Sequence, residues 1–136
     1  MLFRSKYDII VDAGVATPLK NAEDLDGCIQ LLIDNNCDNV FSVTPSARNP
    51  YYNMVEVIQG KVRPVKDLET FHIDRRNVPV TYDENDGFNV WKYDMLFSQQ
   101  SQYNDTSKIY IMPRERSVDI DEEIDFTIAE ALVKLR

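Results

Sequence analysis

Within its first 43 residues the chain follows the order strand, helix, strand, and this order restricts the folds open to it. Residues 7–11 form a continuous apolar run of the kind found in buried parallel strands. Asn21 precedes a segment with apolar residues at helical spacing, and residues 39–43 are again rich in Val and Phe. Two strands joined through a helix normally lie parallel in one sheet. The sequence therefore predicts an α/β fold that begins with a βαβ unit over residues 6–44.

The helix of this unit has a clear start and a clear apolar face. Asn21 is a favourable N-cap, and Glu23 and Asp24 place negative charge in the first turn. The apolar positions at spacing i, i+3, i+4 and i+7 are Leu25, Cys28, Ile29 and Leu32.

The two cysteines of the chain do not form a disulfide framework. Cys28 lies on the apolar face of the helix, which predicts a small core residue. Cys37 lies in a polar turn, with no second metal ligand near it in sequence. Two cysteines are too few for the scaffold of a small secreted domain, so we expect a reducing cytoplasm.

From residue 45 onwards the pattern becomes antiparallel. Residues 52–65 alternate around a Gln-Gly step and predict a β-hairpin. Residues 80–91 predict two short strands around a turn at residues 85–87. This meander, residues 45–92, has little apolar area of its own, so we expect it to pack on a surface outside the segment.

Residues 93–136 return to the α/β core. A short helix from Tyr93 and a strand from Lys108 to Met112 precede a predicted helix from Asp121 to Leu135. That last helix has an apolar stripe on one face, at helical spacing: Ile124, Ile128, Ala131, Leu132 and Leu135.

Composition excludes several classes of function. The 136 residues carry a net charge of −8, which argues against a general nucleic-acid binder because such proteins need a basic stripe. The sequence contains neither an apolar run of membrane-spanning length nor a signal peptide. Local clusters such as Arg75 with Arg76 still allow an acidic small-molecule substrate. We therefore expect a soluble cytoplasmic protein with no nucleic-acid or membrane partner.

The step Asp119-Ile120-Asp121 carries the main chemical signal. In an extended segment, side chains two residues apart point the same way, so these two carboxylates converge. Converging carboxylates repel each other unless a cation lies between them, and Mg²⁺ prefers such hard oxygen ligands. The alternative is an acidic helix start, in which Asp119 with Glu122, or Asp121 alone, caps the helix. The spacing alone leaves both interpretations open.

Four segments, in the correct order, give a resemblance over nearly the whole chain. Residues 17–24 (TPLKNAED) resemble T-S-P-L-R-T-x-E-D-I, and residues 41–55 resemble S-V-x-x-x-x-x-x-P. Residues 75–85 resemble R-R-Q-x-x-P-x-x-Y-x-x-N, and residues 112–130 resemble M-P-x-x-R-S-x-D-I-D-x-x-x-D-F-x-x-A-E. These are the motifs of the acylneuraminate cytidylyltransferases, or CMP-sialic acid synthetases.

The resemblance implies a fold and a reaction. The fold is a Rossmann-like, GT-A-like nucleotidyltransferase with a mixed sheet, and the antiparallel segment 45–92 serves as its dimerisation insertion. The enzymes join CTP to an acidic nine-carbon sugar, whose anomeric hydroxyl attacks the α-phosphorus and releases pyrophosphate. Such chemistry depends on positioning and on electrostatics, with Mg²⁺ neutralising the phosphates. Their products serve lipopolysaccharide or capsule biosynthesis.

Site residues follow position by position from the same resemblance. Asp119 and Asp121 would hold Mg²⁺, and Arg75 would face the sugar carboxylate or phosphate as the catalytic cation. Thr17 and Asn85 would bind the substrate. The central segment of the family exchanges between two subunits, which implies a homodimer.

Departures from the family pattern are also informative. The N-terminal segment that cradles CTP in the family has no counterpart here, so residues 1–136 correspond to a single partial domain and we expect no CTP binding by the chain alone. Gly14 takes a position where relatives carry Gln or Asp, and NDGFN at residues 85–89 replaces N-G-A-I-Y, with Asn89 at the aromatic position. These changes predict another nonulosonic acid, of legionaminic or pseudaminic type, or a loss of activity.

Two further interpretations of function stay open beside the truncated cytidylyltransferase, and they leave undecided whether this chain is an enzyme by itself. One is a non-catalytic dimerisation or sugar-binding module. The other is a KDO-activating enzyme of the same architecture.

Overall fold

The computed structural model describes residues 7–66, 76–98 and 101–136 of the chain. These described residues divide into two compact units, one within residues 1–44 and 84–136 and the other within residues 45–83. The predicted insertion therefore differs in extent from the second unit, because residues 84–92 belong to the first.

A four-stranded sheet forms the first unit. In chain order its strands are β1 (Ile9–Ala13), β2 (Asn39–Pro45), β5 (Tyr82–Lys92) and β6 (Lys108–Ile111). Their spatial order is β1-β5-β2-β6, with β1 antiparallel to β5 and β2 parallel to β6. The amide of Lys92 donates to the carbonyl of Asp38, and the amide of Phe88 donates to Ser42 Oγ, so β5 also runs opposite to β2. The predicted α/β class and mixed sheet are confirmed, and β1, β2 and β6 all point the same way.

The helix of the βαβ unit, α1 (Ala22–Asn35), forms as predicted. Asn21 Oδ1 accepts from the amide of Asp24 at 3.0 Å, and Asp24 Oδ2 accepts from the amide of Asn21 at 3.1 Å, which completes a capping box. The apolar face of α1 packs on the sheet in one core cluster: Cys28, Leu32, Cys37, Val40, Phe88 and Val90. The prediction of Cys28 as a core residue is confirmed, and Cys37, which follows the helix, is buried as well.

Two strands differ from the prediction. Strand β5 continues from Tyr82 to Lys92 instead of breaking into two short strands. It has a neighbouring strand on each side, and within it Asp86, with a φ of 47°, marks a local kink. Strand β1 is half-buried to exposed rather than buried, because it lies at the edge of the sheet.

The remaining helical elements of the first unit are α2 (Tyr93–Leu96), a 3₁₀ turn (Arg114–Arg116) and α3 (Glu123–Lys134). The predicted helix is confirmed as α3, and its apolar stripe is largely uncovered in this chain: Ile124, Ile128 and Leu135 are exposed, and Ala129 is the residue of the helix that is buried. Among the described residues, none of the helices has the length and apolar character needed to cross a membrane.

The second unit contains a two-stranded hairpin, β3 (Val55–Ile58) and β4 (Lys61–Pro64). Gln59 and Gly60 form its turn with φ values of 51° and 76°, as a two-residue hairpin with the right-handed strand twist requires. The predicted hairpin is confirmed.

Candidate functional site

The candidate site lies at the end of the first unit's sheet where the three parallel strands finish, which is called the carboxyl edge of the sheet. Because β1, β2 and β6 are parallel to one another, their carboxyl ends meet at this edge, where the chain continues into Gly14, Ser46 and Met112. The antiparallel strand β5 contributes Asn85 and Asp86 at the same edge. In open α/β sheets, ligands bind outside the carboxyl ends of the strands.

Asn85 joins three elements at this edge and is fully buried. Its Oδ1 accepts from Ser42 Oγ on β2 at 2.6 Å and from the amide of Gly87 at 3.1 Å. Its Nδ2 donates to Ser117 Oγ at 2.8 Å and contacts the sulfur of Met112 at 3.4 Å. Both hydroxyls are used further, since Ser42 accepts from Phe88 and Ser117 donates to Pro113. The amide is thus satisfied within the protein.

Thr17 belongs to the same buried network. Its hydroxyl donates to the carbonyl of Asn85, and the residue has no exposed surface. Lys20 ties the preceding loop together, because its ammonium donates to the carbonyls of Gly14 and Thr17 and lies 5.7 Å from the centre of the Phe88 ring. The loop that follows β1 is therefore fixed against β5.

An ion pair with one wholly buried member fixes the segment after β6. Arg116 donates from Nε to Asp24 Oδ2 at 2.8 Å and from Nη2 to Asp24 Oδ1 at 2.7 Å. Asp24 is wholly buried at the third position of α1, and it keeps its bond from the amide of Asn21. This bidentate pair connects the start of α1 to the turn that leads to Asp119.

Asp119 and Asp121 follow that turn and have no comparable partners among the residues that the structure describes. Within the described residues, Asp119 Oδ1 is buried without a hydrogen-bond partner. Burial raises the pKa of Asp119, and the carboxylates of Asp121 and Asp86 raise it further, while the amide of Ile120 lowers it in part. Asp121 is exposed. The amide of Ile120 donates to the carbonyl of Ala16 at 2.9 Å and holds the segment beside the loop after β1.

The helix-cap interpretation of these two residues is wrong. Helix α3 has Glu122 as its N-cap, and the acidic residue that serves the cap is Asp125, whose Oδ2 accepts from the amide of Glu122 at 2.9 Å and from the amide of Asp121 at 3.2 Å. Asp121 contributes only its N–H group to this cap. Both predicted metal-binding carboxylates remain outside the hydrogen bonds of the helix start.

The residues fit a magnesium ion that completes its coordination from other sources. The unpartnered oxygen of Asp119 and the neighbouring carboxylate of Asp121 form the concentration of negative charge that a divalent cation would neutralise. The described parts of the chain contain no group of three or more His, Cys, Asp or Glu side chains arranged to hold a metal. Mg²⁺ usually takes one or two carboxylates and fills its shell with water and substrate phosphates, so a pair suffices.

Gly14 and Asp86 meet at the same edge with no space between them. A Cβ at Gly14 would overlap the carbonyl oxygen of Asp86 and would lie 2.6 Å from its Oδ2. The absence of a side chain at residue 14 is therefore what allows the Asp86 backbone to pass so close. The carboxylate of Asp86 occupies the space that a side chain at residue 14 would need.

The structure brings four of the five predicted site residues into one region: Thr17, Asn85, Asp119 and Asp121. Arg75 lies outside the described residues. Thr17 and Asn85 use their side chains inside the protein, and their assignment to substrate binding stays a prediction.

Sequence reasoning missed the residues that support the site. Asp24 was assigned only to the helix start, and its pairing with Arg116 spans 92 positions of the chain. The serines at positions 42 and 117 are ordinary polar residues in sequence. The available signal was that Asp24 and Arg116 both lie within the family motifs.

Comparison with known proteins places the chain. No protein-family profile matches it. It is 33% identical over 132 residues to post-translational flagellin modification protein B of Campylobacter coli, which covers 97% of this chain and 55% of that protein. It is 30% identical over 134 residues to CMP-N,N'-diacetyllegionaminic acid synthase of Campylobacter jejuni, which covers 98% of this chain and 56% of that protein.

The chain thus spans little more than half the length of either relative. Both alignments run over almost all of its residues, including the motifs from Thr17 to Glu130. On this evidence the chain belongs to the acylneuraminate cytidylyltransferase family and corresponds to part of a family member.

Proposed function

We propose that this chain is the sugar-side and metal-side part of a cytidylyltransferase that activates a nonulosonic acid with CTP, giving a CMP-sugar and pyrophosphate. The observation that supports this function best is the unpartnered carboxylate oxygen of Asp119 beside Asp121, at the carboxyl edge of the sheet. The name of the C. jejuni relative favours a sugar of the legionaminic type. A Rossmann-like, GT-A-like fold is part of the same proposal.

Asp119 and Asp121 would hold Mg²⁺, which when bound neutralises charge on the phosphates of the nucleotide. Asp119 is partly buried and fixed by the bond from Ile120 to Ala16, so it would provide the immobile ligand. Asp121 is exposed and would face the incoming substrate. Neither residue is a nucleophile, and their contribution is positioning and charge.

Three other residues complete the proposed substrate site. Thr17 and Asn85, whose side chains are buried and hydrogen-bonded within the protein, would shape its wall from behind. Arg75 would oppose the sugar carboxylate or the phosphate, because its planar fork suits an oxyanion.

A chimera tests the function directly. Residues 7–136 replace the equivalent part of the C. jejuni relative, and pyrophosphate release is measured with CTP, Mg²⁺ and diacetyllegionaminic acid. We expect Asp121→Ala to abolish release, whereas Asp94→Ala, at an exposed carboxylate in α2, leaves it unchanged. If Asp121→Ala releases pyrophosphate as fast as Asp94→Ala and the parent chimera, the metal assignment is excluded.

The 136-residue chain by itself gives a second test. We expect calorimetry to detect no CTP binding, because the segment that cradles the nucleotide in the family has no counterpart in these residues. Tight binding would show that the nucleotide site has been misplaced.

We also propose that the second unit forms a homodimer with a second copy of the chain. One face of its hairpin is apolar and about two-thirds exposed, with Val55 at 67%, Val57 at 66% and Val62 at 68%. The opposite face has the ion pair between Glu56 and Arg63, at 2.8 Å. A two-stranded sheet is marginally stable alone, so covering the apolar face would stabilise it.

Sedimentation velocity tests the homodimer. We expect Val57→Lys to shift the chain to monomer, and Lys61→Ala, at the end of the hairpin on the other face, to leave the dimer intact. A monomeric parent chain would exclude this interface.

Other features of the complete protein remain predictions. These are a cytoplasmic location and the absence of nucleic-acid and membrane partners. The expected destination of the sugar is lipopolysaccharide or capsule, and the name of the C. coli relative adds flagellin modification as a second destination.

A further inference from the structure

The segment with the two proposed metal ligands is held at three points. Arg116 is bound by Asp24, Ser117 is bound by Asn85, and the amide of Ile120 is bound by the carbonyl of Ala16. Of these three attachments, the first is the only one that joins two charged side chains.

The Asp24 end of this ion pair is immobile. Asp24 is wholly buried, it lies in the first turn of α1, and it is the reciprocal partner of Asn21 in the capping box. Its carboxylate position is therefore set by the helix and not by Arg116. A guanidinium that makes two parallel bonds to such a fixed carboxylate has its plane and direction defined by it.

The Arg116 end transmits this constraint over a short distance. Arg116 closes the 3₁₀ turn after β6, and Asp119 follows only three residues later. Two guanidinium nitrogens of Arg116, Nε and Nη2, donate to the carboxylate of Asp24, so the charge of Arg116 is used in this ion pair. An effect of Arg116 on Asp119 would therefore act through backbone placement.

We propose that Arg116, through its bidentate ion pair with Asp24, is a positioning residue that sets the placement of Asp119 and thereby the affinity of the Asp119–Asp121 pair for a divalent cation. The proposal rests on the proposed function, because it takes this pair to be the cation site. It adds Asp24 and Arg116, which touch neither cation nor substrate, to the residues on which that site depends.

The first test measures amide hydrogen exchange in the 136-residue chain. Arg116→Lys keeps the positive charge and removes the planar fork. We expect exchange of the peptide covering residues 117–122 to rise by about tenfold or more, because the bond from Ile120 to Ala16 opens more often, while the peptide of α1 is unchanged. A merely structural role would increase exchange in both peptides.

The second test measures binding of Mn²⁺, as a spectroscopic substitute for Mg²⁺, by electron paramagnetic resonance. Residues that orient metal ligands typically contribute 10–100-fold to affinity, so we expect Arg116→Lys to weaken Mn²⁺ binding by at least about tenfold. Asp24→Asn, which keeps an oxygen for the capping box, should weaken it similarly. The matched control is Arg114→Lys, at an exposed arginine of the same turn, which should leave Mn²⁺ binding unchanged.

The outcomes separate this inference from the proposed function. If the parent chain binds Mn²⁺ and Arg116→Lys binds it equally well with an unchanged exchange pattern, the positioning role is overturned and the cation site stands. If the parent chain binds no Mn²⁺ while its exchange pattern shows a folded protein, the cation site itself is overturned, and this inference with it.

Discussion

Two groups of polar side chains lie at the same carboxyl edge of the sheet and differ in whether their buried atoms have hydrogen-bond partners. In the first group, every side chain is buried and hydrogen-bonded: Thr17, Asp24, Ser42, Asn85 and Ser117. In the second group, Asp119 has a buried oxygen without a partner in the described residues, and Asp121 and Asp86 increase its electrostatic cost.

This difference separates residues that stabilise the fold from residues that the fold tolerates. A satisfied buried network holds its elements together, and removing one member leaves the others unpaired. Unpaired carboxylates close to one another reduce stability, and proteins keep such groups where a ligand compensates for them. The contrast predicts that substitutions in the two groups change stability in opposite directions.

The largest expected effect comes from removing the charge of Arg116, the partly exposed member of the ion pair, while Asp24 stays buried. Arg116→Met leaves Asp24 as an uncompensated buried charge and should reduce the free energy of unfolding by about 3–5 kcal/mol. Asp24→Asn should cost less, because Arg116 has a side chain that is 24% exposed and can reach water. Urea unfolding of both variants measures the difference. Equal losses would mean that Asp24 is hydrated in solution.

A smaller loss is expected from the amide network. Asn85→Ala removes the partner of two buried serine hydroxyls and should reduce stability by about 1–3 kcal/mol in thermal and urea unfolding. Asn89 provides a control on the same strand, because its Oδ1 is buried without a hydrogen-bond partner among the described residues. Asn89→Ala should cost clearly less. A larger loss of stability for Asn89→Ala than for Asn85→Ala would show that residue 89, and not residue 85, stabilises this strand through hydrogen bonds.

The second group should respond with the opposite sign. Asp119→Asn removes a charge that is repelled by Asp121 and Asp86, and it should raise stability by about 0.5–1 kcal/mol at neutral pH in the presence of EDTA. Asp94→Asn, at an exposed carboxylate, is the control.

The pH dependence of this variant follows from the raised pKa of Asp119. The unfolded chain ionises first, near the ordinary value of 3.8, so the wild type loses stability as the pH rises through the higher folded value. The advantage of Asp119→Asn should therefore disappear below about pH 3.8. A variant that is less stable than the parent at neutral pH would contradict the contrast between the two groups.

The smallest effect concerns Cys28, a buried thiol for which no ligand is proposed. Burial raises the pKa of Cys28 to about 12, first through desolvation and then through Asp24. We expect iodoacetamide at pH 8 to leave Cys28 unmodified in the folded chain and to modify it in urea, as measured by peptide mass spectrometry. Stability should decline as the pH rises above 9, because the unfolded thiol ionises first. Rapid labelling of the folded chain would show that α1 opens readily.

The sequence predicted what depends on neighbouring residues. Helix α1 follows from Asn21 and the apolar spacing, and the hairpin follows from the Gln59-Gly60 turn. Strand β5 was mispredicted because residues 85–87 carry a turn signal, while the strand is maintained by pairing with β1 and β2, which are distant in the chain.

The same limit applies to the site. The two metal candidates are adjacent in sequence and carry a local signal. The ion pair between Asp24 and Arg116 depends on two residues that only the fold brings together. The apolar stripe of α3 predicted the helix correctly, and most of that stripe is exposed in this chain, because periodicity does not specify which surface a helix meets.

The close approach of Gly14 and Asp86 has a consequence for how this protein can evolve or be engineered. A side chain cannot be added at residue 14 while the main-chain carbonyl of residue 86 occupies its space, so any route that introduces Asp or Gln there must first use a substitution at residue 86 that moves this main-chain segment away from its present φ of 47°. The substitution at residue 86 must then come first, because the variant with a change at residue 14 alone has the steric overlap. A library that varies the two positions together should recover functional pairs that two single-site libraries cannot contain.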